Sequence, residues 1–429
     1  MRPRTRLRGG PLALLVAVLA GCGGDAAQPV RFWALGREGE VVQRLMADFT
    51  RRNPGIAVKV QQIPWTAAHE KLLTAFVGDA SPDLAQVGNT WLPEFAALRA
   101  IEDLSPHLDN GTVVRADNFF PGVWATNTIA GRVLGVPWYV DTRVLFYRKD
   151  ILAQAGIVEP PRTWDEWRGA MERIKRTVGP DRFAILLPVD EWAQLVVLAM
   201  EAGSPLLRDG DRFGAFRGPE FRRALEFYVA LFSDRLAPAL DRNQVANLYQ
   251  QFAEGHFAMY ITGPWNLGEF RRRLPAALQD GWATAPLAAV CAEDWPGISL
   301  AGGSSLVLFR SSRRKDAGWK IIEYLSEPAQ QVAFYHATGD LPAHRGAWED
   351  PSLAGDSRTR AFFTQLAHVR PVPKIPEWEQ IAQRTAELAE QALRGRMSID
   401  EAVTALDRDV DRMLEKRRWL LVRASRVRP

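Results

Sequence analysis

The stretch Gly135–Asp150 reads GVPWYVDTRVLFYRKD and has the pattern of a loop that enters a strand. Pro137 fixes its own φ angle and favours an extended conformation in the residue before it. The run from Val144 to Tyr147 consists of β-branched, aliphatic and aromatic residues, which predicts a strand. Val140 belongs to the same β-rich run, and the charged residues Arg148-Lys149-Asp150 close it.

The same stretch carries two aromatic rings, a carboxylate and a guanidinium within six residues, at Trp138, Tyr139, Asp141 and Arg143. A sugar ring presents apolar C–H faces and hydroxyl groups, so flat rings and charged hydrogen-bonding groups suit a polyhydroxylated ligand. An ordinary strand with core aromatics and an Asp141–Arg143 ion pair accounts for these residues equally well. The stretch alone leaves both interpretations open.

The segments on either side narrow the choice. PDLAQVGNTWLPEFAALRAIEDLSP (Pro82–Pro106) precedes the stretch, and AGIVEPPRTWDEW (Ala155–Trp167) follows it. Together the three segments resemble the extracellular solute-binding proteins of bacterial ABC importers, and most closely the branch that carries maltose and trehalose. The resemblance runs from about Arg31 to about Ala405. It implies an α/β fold of the type II periplasmic-binding-protein class, with two discontinuous α/β lobes joined by a hinge.

The order of the predicted elements agrees with an α/β class. Val30–Leu35 is predicted to be a strand, Gly36–Gly39 a turn, Glu40–Arg52 a helix, and the residues around Val58 a second strand. A length of 429 residues suggests two or three domains. With the resemblance, we expect a signal peptide over 1–21, a tether over 22–29, lobe 1 over 30–142 and 303–342, and lobe 2 over 143–302 and 343–429.

The N-terminus predicts export. Four Arg residues precede the apolar run Pro11–Ala20, which is too short to span a bilayer, and Leu19-Ala20-Gly21-Cys22 resembles a lipobox. We therefore expect cleavage before Cys22, lipidation of its sulfur, and a protein anchored on the periplasmic or cell-surface side of a membrane. An ordinary secretory signal with an incidental Cys22 is the alternative.

Composition excludes several functions. Cleavage would remove four Arg and no acid, so the formal net charge of +4 would fall to zero and gives no reason to expect nucleic acid. We find no metal-ligand spacing, nucleophile motif or phosphate loop, and so predict no catalytic residue, no metal and no cofactor. Cys291 is expected to be a buried apolar residue. The basic C-terminal tail is either a solvated helix end or a contact with anionic lipid.

In the first lobe the candidate ligand contacts lie in loops after strands, where open α/β sheets bind ligands. The resemblance implies that Glu38, Asp83, Tyr139 and Asp141 approach the sugar, and Asn89 and Trp138 share their loops. Arg37 or Glu40 could take the place of Glu38. Asp83 follows Pro82, so a turn or N-cap role is the alternative for it.

Further candidate ligand contacts lie in the second lobe or where the chain is expected to return from it to the first lobe. The resemblance implies that Trp265 stacks on a sugar ring, with Asn266 beside it, and that Arg370 reaches sugar hydroxyls. The pair Gly302-Gly303 allows close approach of the backbone to a ligand. A core position for Trp265 and a surface ion pair for Arg370 are the alternatives.

These features predict a monomeric lipoprotein that captures a sugar between two lobes and delivers it to the transmembrane subunits of an ABC permease. A disaccharide such as trehalose or maltose is the favoured ligand, because of the resemblance and Arg370. The alternatives are an exported glycoside-acting enzyme and a lipoprotein scaffold without a sugar site.

Overall fold

The structure is a computed structural model that describes residues 28–108, 113–245 and 247–427. The predicted signal peptide, Cys22 and most of the predicted tether therefore lie outside the described residues. In the part of the chain that is described, no helix combines the length and the apolar character needed to cross a membrane.

Strands and helices alternate along most of the chain. The strands are β1 Val30–Leu35, β2 Val58–Ile63, β3 Leu84–Gly88, β4 Thr128–Ile129, β5 Arg132–Val133, β6 Val136–Asp141, β7 Val144–Arg148, β8 Phe183–Leu186, β9 Leu207–Arg208, β10 Phe213–Gly214, β11 Phe257–Thr262, β12 Trp282–Ala285, β13 Ser299–Leu300, β14 Gly302–Leu308, β15 Leu341–Pro342 and β16 Val369–Arg370.

The α-helices are α1 Gly36–Arg52, α2 Trp65–Val77, α3 Leu92–Ala97, α4 Ser105–Leu108, α5 Pro121–Thr126, α6 Lys149–Gln154, α7 Trp164–Val178, α8 Trp192–Glu201, α9 Pro219–Ser233, α10 Leu248–Ala253, α11 Trp265–Arg273, α12 Lys315–Ser326, α13 Pro328–Thr338, α14 Pro351–Ala354, α15 Ser357–Leu366, α16 Trp378–Leu393, α17 Ile399–Met413 and α18 Glu415–Val427.

The first lobe is built on a six-stranded sheet in the order β15-β6-β14-β3-β1-β2. Strand β1 pairs in parallel with β2 and β3, and β14 lies antiparallel between β3 and β6. The carboxyl ends of β1, β2, β3 and β6 therefore meet at one edge, together with the first residues of β14. Loops at this edge are positioned to form a ligand site.

The second lobe is built on a four-stranded sheet in the order β12-β7-β11-β8. Strand β11 runs parallel to β8 and antiparallel to β7, so β8 and β11 end on the side where β7 begins. Helices α8 and α11 start just beyond those ends, at Trp192 and Trp265. These two helix starts face the loop edge of the first sheet.

Within the described residues, the chain passes between the two sheets three times. Strand β6 of the first sheet leads directly to β7 of the second, and β13 leads back to β14 through Ala301. After β15 the chain returns to α15, which packs on β12. Two discontinuous α/β lobes follow from these passes, and the lobe boundaries given above stay a prediction.

Local differences from the sequence reading concern helix limits. Helix α1 begins at Gly36 rather than Glu40, because Gly36 adopts φ +50° and lets strand β1 turn straight into the helix. The apolar spacing over Asn243–Glu254 predicts a helix there, but the helix is limited to Leu248–Ala253. The spacing over Ile399–Leu420 predicts one closing helix, but the structure has two, separated at the buried residue Leu414.

The spacing of Thr163 and Glu166, three residues apart, predicts a capping box at the start of α7, and the structure confirms it. The Thr163 hydroxyl accepts a hydrogen bond from the backbone N–H of Glu166, and the Glu166 carboxylate accepts one from the backbone N–H of Thr163. Each group satisfies a backbone donor that the helix itself leaves free. This local signal fixes where α7 begins in the second lobe.

Candidate functional site

A cavity of about 640 Å³ lies between the loop edge of the first sheet and the helix starts of the second. Its wall combines aromatic rings from both lobes with carboxyl and guanidinium groups. The aromatic residues are Trp65, Trp91, Tyr139, Trp192, Tyr260 and Trp265, the acids are Glu38, Asp141, Glu191, Glu269, Asp340 and Glu379, and the cations are Arg37, Arg143 and Arg242.

On the first-lobe wall, Glu38 occupies the first turn of α1. Its Oε1 accepts hydrogen bonds from Tyr139 Oη (2.7 Å) and Trp65 Nε1 (3.1 Å). Burial raises the pKa of this carboxyl, although those hydrogen bonds oppose the rise. A methyl group on Gly36 would come within 2.6 Å of Trp65, so glycine at this position lets the indole reach Glu38.

Asp340 joins Glu38 on the same wall, in the short link between α13 and β15. It is buried, and burial raises the pKa of its carboxyl well above the usual range, with the nearby charge of Glu38 adding to the rise. Among the described residues, neither Glu38 nor Asp340 takes part in an ion pair. The first-lobe wall therefore presents two carboxyl groups that form no ion pair within 4.0 Å among the described residues.

On the opposite wall, Arg143 is paired on both sides. Its Nη1 forms an ion pair with Asp141, and its Nη2 lies 3.1 Å from Glu191 Oε1. The guanidinium also lies 4.7 Å from the ring centroid of Trp265, a cation–π contact. Burial opposes the charge on Arg143, but Asp141 and Glu191 outweigh it and raise the pKa of Arg143. Arg143 therefore joins Asp141, at the end of β6 in the first sheet, to Glu191 of the second lobe.

The pair Gly302-Gly303 lines the cavity where β14 begins. A methyl group on Gly302 would lie 2.5 Å from the Asp141 carbonyl oxygen, and one on Gly303 would lie 2.4 Å from that of Tyr139. Gly303 also adopts φ +145°. Glycine is thus required for β14 to pair with β6 at the cavity, and contact of these residues with a ligand stays a prediction.

The structure brings seven of the residues predicted from the sequence together around this cavity: Glu38, Asn89, Tyr139, Asp141, Trp265, Gly302 and Gly303. Asn89 also holds the link between β13 and β14, because its Nδ2 donates a hydrogen bond to the carbonyl oxygen of Ala301 (2.9 Å). The role of these residues in binding a ligand stays a prediction.

Asp83 and Trp138 do not line the cavity, and their predicted positions at the ligand are wrong. The carboxylate of Asp83 accepts hydrogen bonds from the backbone N–H of Arg31 (2.8 Å) and from Ser312 Oγ (2.7 Å), which is a structural role. Trp138 is buried, with its ring centroid 4.4 Å from that of Phe334. Adjacent residues of a strand face opposite sides, so Tyr139 points to the cavity and Trp138 to the core.

Asn266 and Arg370 also lie elsewhere. Asn266 is buried behind Trp265, where its side chain bonds to Tyr249 (3.1 Å) and Thr262 (2.7 Å). Arg370 lines a different cavity, beside β13, because β16 pairs with β13 rather than with a cleft strand. The predictions that these two side chains face the sugar site are therefore wrong.

The prediction that Cys291 is buried is also wrong. Cys291 is exposed, and its thiol donates a hydrogen bond to Asp294 Oδ2 (2.9 Å). In the described part of the chain, no group of three or more His, Cys, Asp and Glu side chains is arranged to hold a metal ion.

Sequence reasoning missed several residues of the cavity, and Trp65 is the clearest. Its side chain remains 37% exposed in the cleft, so part of the indole is free to meet a ligand. The signal was available, because Pro64-Trp65 directly follows strand β2, as the other candidate loops follow their strands. Glu191 and Trp192 follow β8 in the second lobe and could have been found by the same rule.

Comparison with known proteins shows where this architecture recurs. The family profile described as bacterial extracellular solute-binding protein matches residues 33–332. Among solved structures, the sugar-binding protein MalE from the phytopathogen Xanthomonas citri is similar, with a TM-score of 0.87 and 50% identity over 92% of this chain and 99% of that one.

Two relatives are similar over most of their length. The diacetylchitobiose binding protein DasA of Streptomyces coelicolor is 25% identical, over 86% of this chain and 88% of the relative. An uncharacterized lipoprotein in the oleD 5′ region of Streptomyces antibioticus is 28% identical, over 88% of this chain and 86% of the relative.

Proposed function

The chain belongs to the bacterial extracellular solute-binding proteins, and from that premise we propose that it captures a sugar in its cleft and delivers it to the transmembrane permease of an ABC importer. A disaccharide such as trehalose or maltose is the proposed ligand. The chain is a binding protein rather than an enzyme, as its family and its relatives are.

The observation that carries the proposal is the lining of the cleft. Three aromatic residues from each lobe face one cavity, between them placing flat surfaces where a sugar ring can stack. Carboxyl and guanidinium groups interleave with them, and these bond sugar hydroxyls as acceptors and donors. The volume of about 640 Å³ falls within the usual ~300–1,000 Å³ of small-molecule sites.

The position of the cleft supports a closure mechanism. The two walls belong to different sheets, and two of the three segments that join them are only one or two residues long, at Ala301 and at 142–143. A sugar that binds one wall first would be buried when the hinge brings the other wall against it. The permease would then recognise the closed form. The sugar raises the population of the closed form because it binds that form more tightly than the open one.

The relatives support the choice of ligand class. The similar structure of 50% identity is a sugar-binding protein, and DasA binds diacetylchitobiose, a disaccharide. We propose that Glu38, Asn89, Tyr139, Asp141, Trp265, Gly302 and Gly303 contact the ligand, together with Trp65 and Asp340, which line the same cavity.

A thermal-shift screen against a sugar panel tests the proposal. The panel contains trehalose, maltose, diacetylchitobiose and the matching monosaccharides. We expect one disaccharide to raise Tm by stabilising the folded protein, with one-to-one binding by calorimetry. Release of monosaccharide during incubation would instead favour a glycoside-acting enzyme. The absence of any shift would favour a scaffold without a sugar site.

We further propose that the protein is exported and held on a membrane through lipid on Cys22. The lipoprotein relative supports this, as does the sequence Leu19-Ala20-Gly21-Cys22. In cells, Cys22→Ala is expected to move the protein out of the membrane fraction, whereas the exposed Cys291→Ala control should leave it there. Retention of Cys22→Ala in the membrane fraction would contradict lipid anchoring.

A further inference from the structure

A second cavity, of about 550 Å³, lies in the second lobe, apart from the cleft. It lies beside the hinge, by which we mean the segment 299–301 where the chain crosses back to the first lobe. It is bounded by the end of α8, by the loop that precedes β13, and by the residues on either side of Val369 in β16. We call it the hinge cavity. It contains Arg370, the residue that the sequence placed at the sugar.

The hinge cavity presents charges of both signs that are not paired with each other. Glu201, Glu293 and Asp294 supply carboxyl groups, and His368 and Arg370 supply cationic or protonatable groups. Among the described residues, none of these five takes part in an ion pair within 4.0 Å, although ion pairs are common elsewhere on this protein. The carboxyl groups and the basic groups therefore line the same cavity without contacting each other.

Glu201 occupies a part of this wall where a carboxyl group is costly. Its Oε2 accepts a hydrogen bond from Trp164 Nε1 (2.7 Å), and burial raises the pKa of the carboxyl well above its usual range. Its Oε1 faces Gly297, where a methyl group would lie only 2.7 Å away. A neutral glutamine would accept the same indole proton with less desolvation, so anchoring Trp164 does not explain why this residue is an acid.

Glu201 is half-buried and has no cationic partner within 4.0 Å among the described residues, so a ligand that brings a cation would stabilise its ionised form. An ammonium group beside Glu201 would favour the ionised carboxylate and offset its desolvation. Across the cavity, a carboxylate would find Arg370, whose planar guanidinium suits it, and His368. Trp295 and neighbouring aliphatic side chains provide an apolar wall between these two ends.

The two basic residues are fixed to the strand ladder at the hinge. The backbone N–H of Ser299 donates to the carbonyl oxygen of His368 (2.9 Å), and that of Ala301 donates to the carbonyl oxygen of Arg370 (2.8 Å). Ser299 Oγ in turn accepts from the backbone N–H of Arg143 (3.0 Å). The backbones of His368 and Arg370 are therefore hydrogen-bonded to the segment where the chain crosses between lobes.

We propose that the hinge cavity is a second small-molecule site, which binds a zwitterion of amino-acid size with its ammonium group at Glu201 and its carboxylate at Arg370 and His368. This site is independent of the sugar proposal, because none of its residues lines the cleft.

The test uses the purified protein and the protein amino acids, each at about 10 mM, in a thermal-shift screen. Any amino acid that raises Tm is then titrated by calorimetry beside two matched probes, the amine that lacks its α-carboxylate and the acid that lacks its α-amino group. We expect one-to-one binding of the amino acid and at least about tenfold weaker binding of both probes. Equal binding of either probe would overturn the zwitterion assignment.

Two variants locate the bound ligand. Glu201→Gln keeps an acceptor for Trp164, and Arg370→Gln removes the guanidinium from an exposed position; each is expected to weaken amino-acid binding at least about tenfold. Glu70→Gln, an exposed change on α2, is the matched control and should leave binding unchanged. Trp65→Ala, in the cleft, should also leave it unchanged, since loss of binding there would place the amino acid in the cleft.

Proton release on binding gives a readout that a purely structural Glu201 would not produce. If an ammonium group ionises the protonated Glu201, binding releases a proton, and the measured enthalpy depends on the ionisation enthalpy of the buffer. Glu201→Gln should abolish that dependence. The proposal is wrong if no amino acid binds, or if binding persists in both Glu201→Gln and Arg370→Gln.

Discussion

The two walls of the cleft use charge in opposite ways. On the first-lobe wall, Glu38 and Asp340 are buried without a cationic partner among the described residues, and part of the Trp65 indole is free. On the second-lobe side, Arg143 lies between Asp141 and Glu191 and over Trp265, so charges and ring are already engaged. We infer a difference in role: the carboxyl groups of the first wall form no ion pair among the described residues and can still bond the hydroxyls of a ligand, whereas the charges of the second wall are already paired.

We expect the largest effect, a loss of unfolding free energy, from removing the Arg143 guanidinium. Arg143→Ala leaves Asp141 and Glu191 without their shared cation, and removing one partner of a largely buried charge cluster costs about 3 kcal/mol of unfolding free energy. The midpoint of urea unfolding measures this. The matched control is Arg37→Ala on the other wall, an exposed residue whose guanidinium donates to the carbonyl oxygen of Ala337 (3.0 Å). Equal losses from the two variants would remove the distinction between the walls.

The next largest effect is expected on sugar affinity, from removing the partly exposed Trp65 indole on the first-lobe wall. Trp65→Ala removes the exposed indole and the hydrogen bond to Glu38, and we expect a loss of about 2 kcal/mol in binding free energy for the sugar that gives the largest thermal shift. That corresponds to an affinity about 30-fold weaker by calorimetry. Trp419→Ala, an exposed tryptophan on α18 outside the cavity, is the control. Unchanged affinity in Trp65→Ala would mean that the ring is not a ligand contact.

A smaller effect follows from the buried acid Asp340. Its pKa is raised in the folded protein, so between the ordinary Asp pKa of about 4 and the raised value the folded state binds more protons than the unfolded state. Stability therefore falls as pH rises through that window. Asp340→Asn removes this penalty, and we expect it to raise Tm by roughly 2 °C at pH 8 and to have little effect at pH 4.

Asp181→Asn is the control for the pH series, because Asp181 is an exposed acid outside the cavity. Its difference from the parent protein should not vary in this way with pH. A gain in Asp340→Asn that is the same at both pH values would show that the carboxyl charge is not the cause.

The smallest expected effect on binding comes from Asp83. Its carboxylate bonds to the backbone of Arg31 and to Ser312, away from the cavity. Asp83→Asn should leave sugar affinity unchanged while lowering the unfolding free energy by about 1 kcal/mol. A clear loss of affinity with unchanged stability would restore the role that the sequence suggested for this residue.

Local chemistry made much of the fold predictable. Alternation of strand and helix patterns identified the α/β class, and the capping box at Thr163 and Glu166 located the start of α7. The strand-end rule indicated which loops bind ligands, and the family resemblance indicated Glu38, Asn89, Tyr139 and Asp141, which line the cavity. These signals depend on residues close together in the chain, so the sequence contains them in full.

The sequence by itself therefore determined which elements form and which loops gather at the cleft. Only the tertiary structure decided which side chains within those loops face it. A strand pattern separates Trp138 from Tyr139 but does not say which face is buried, and Asp83 turned away because Ser312, 229 residues later, lies beside it. Such partners are set by packing between distant segments, and no local pattern encodes them.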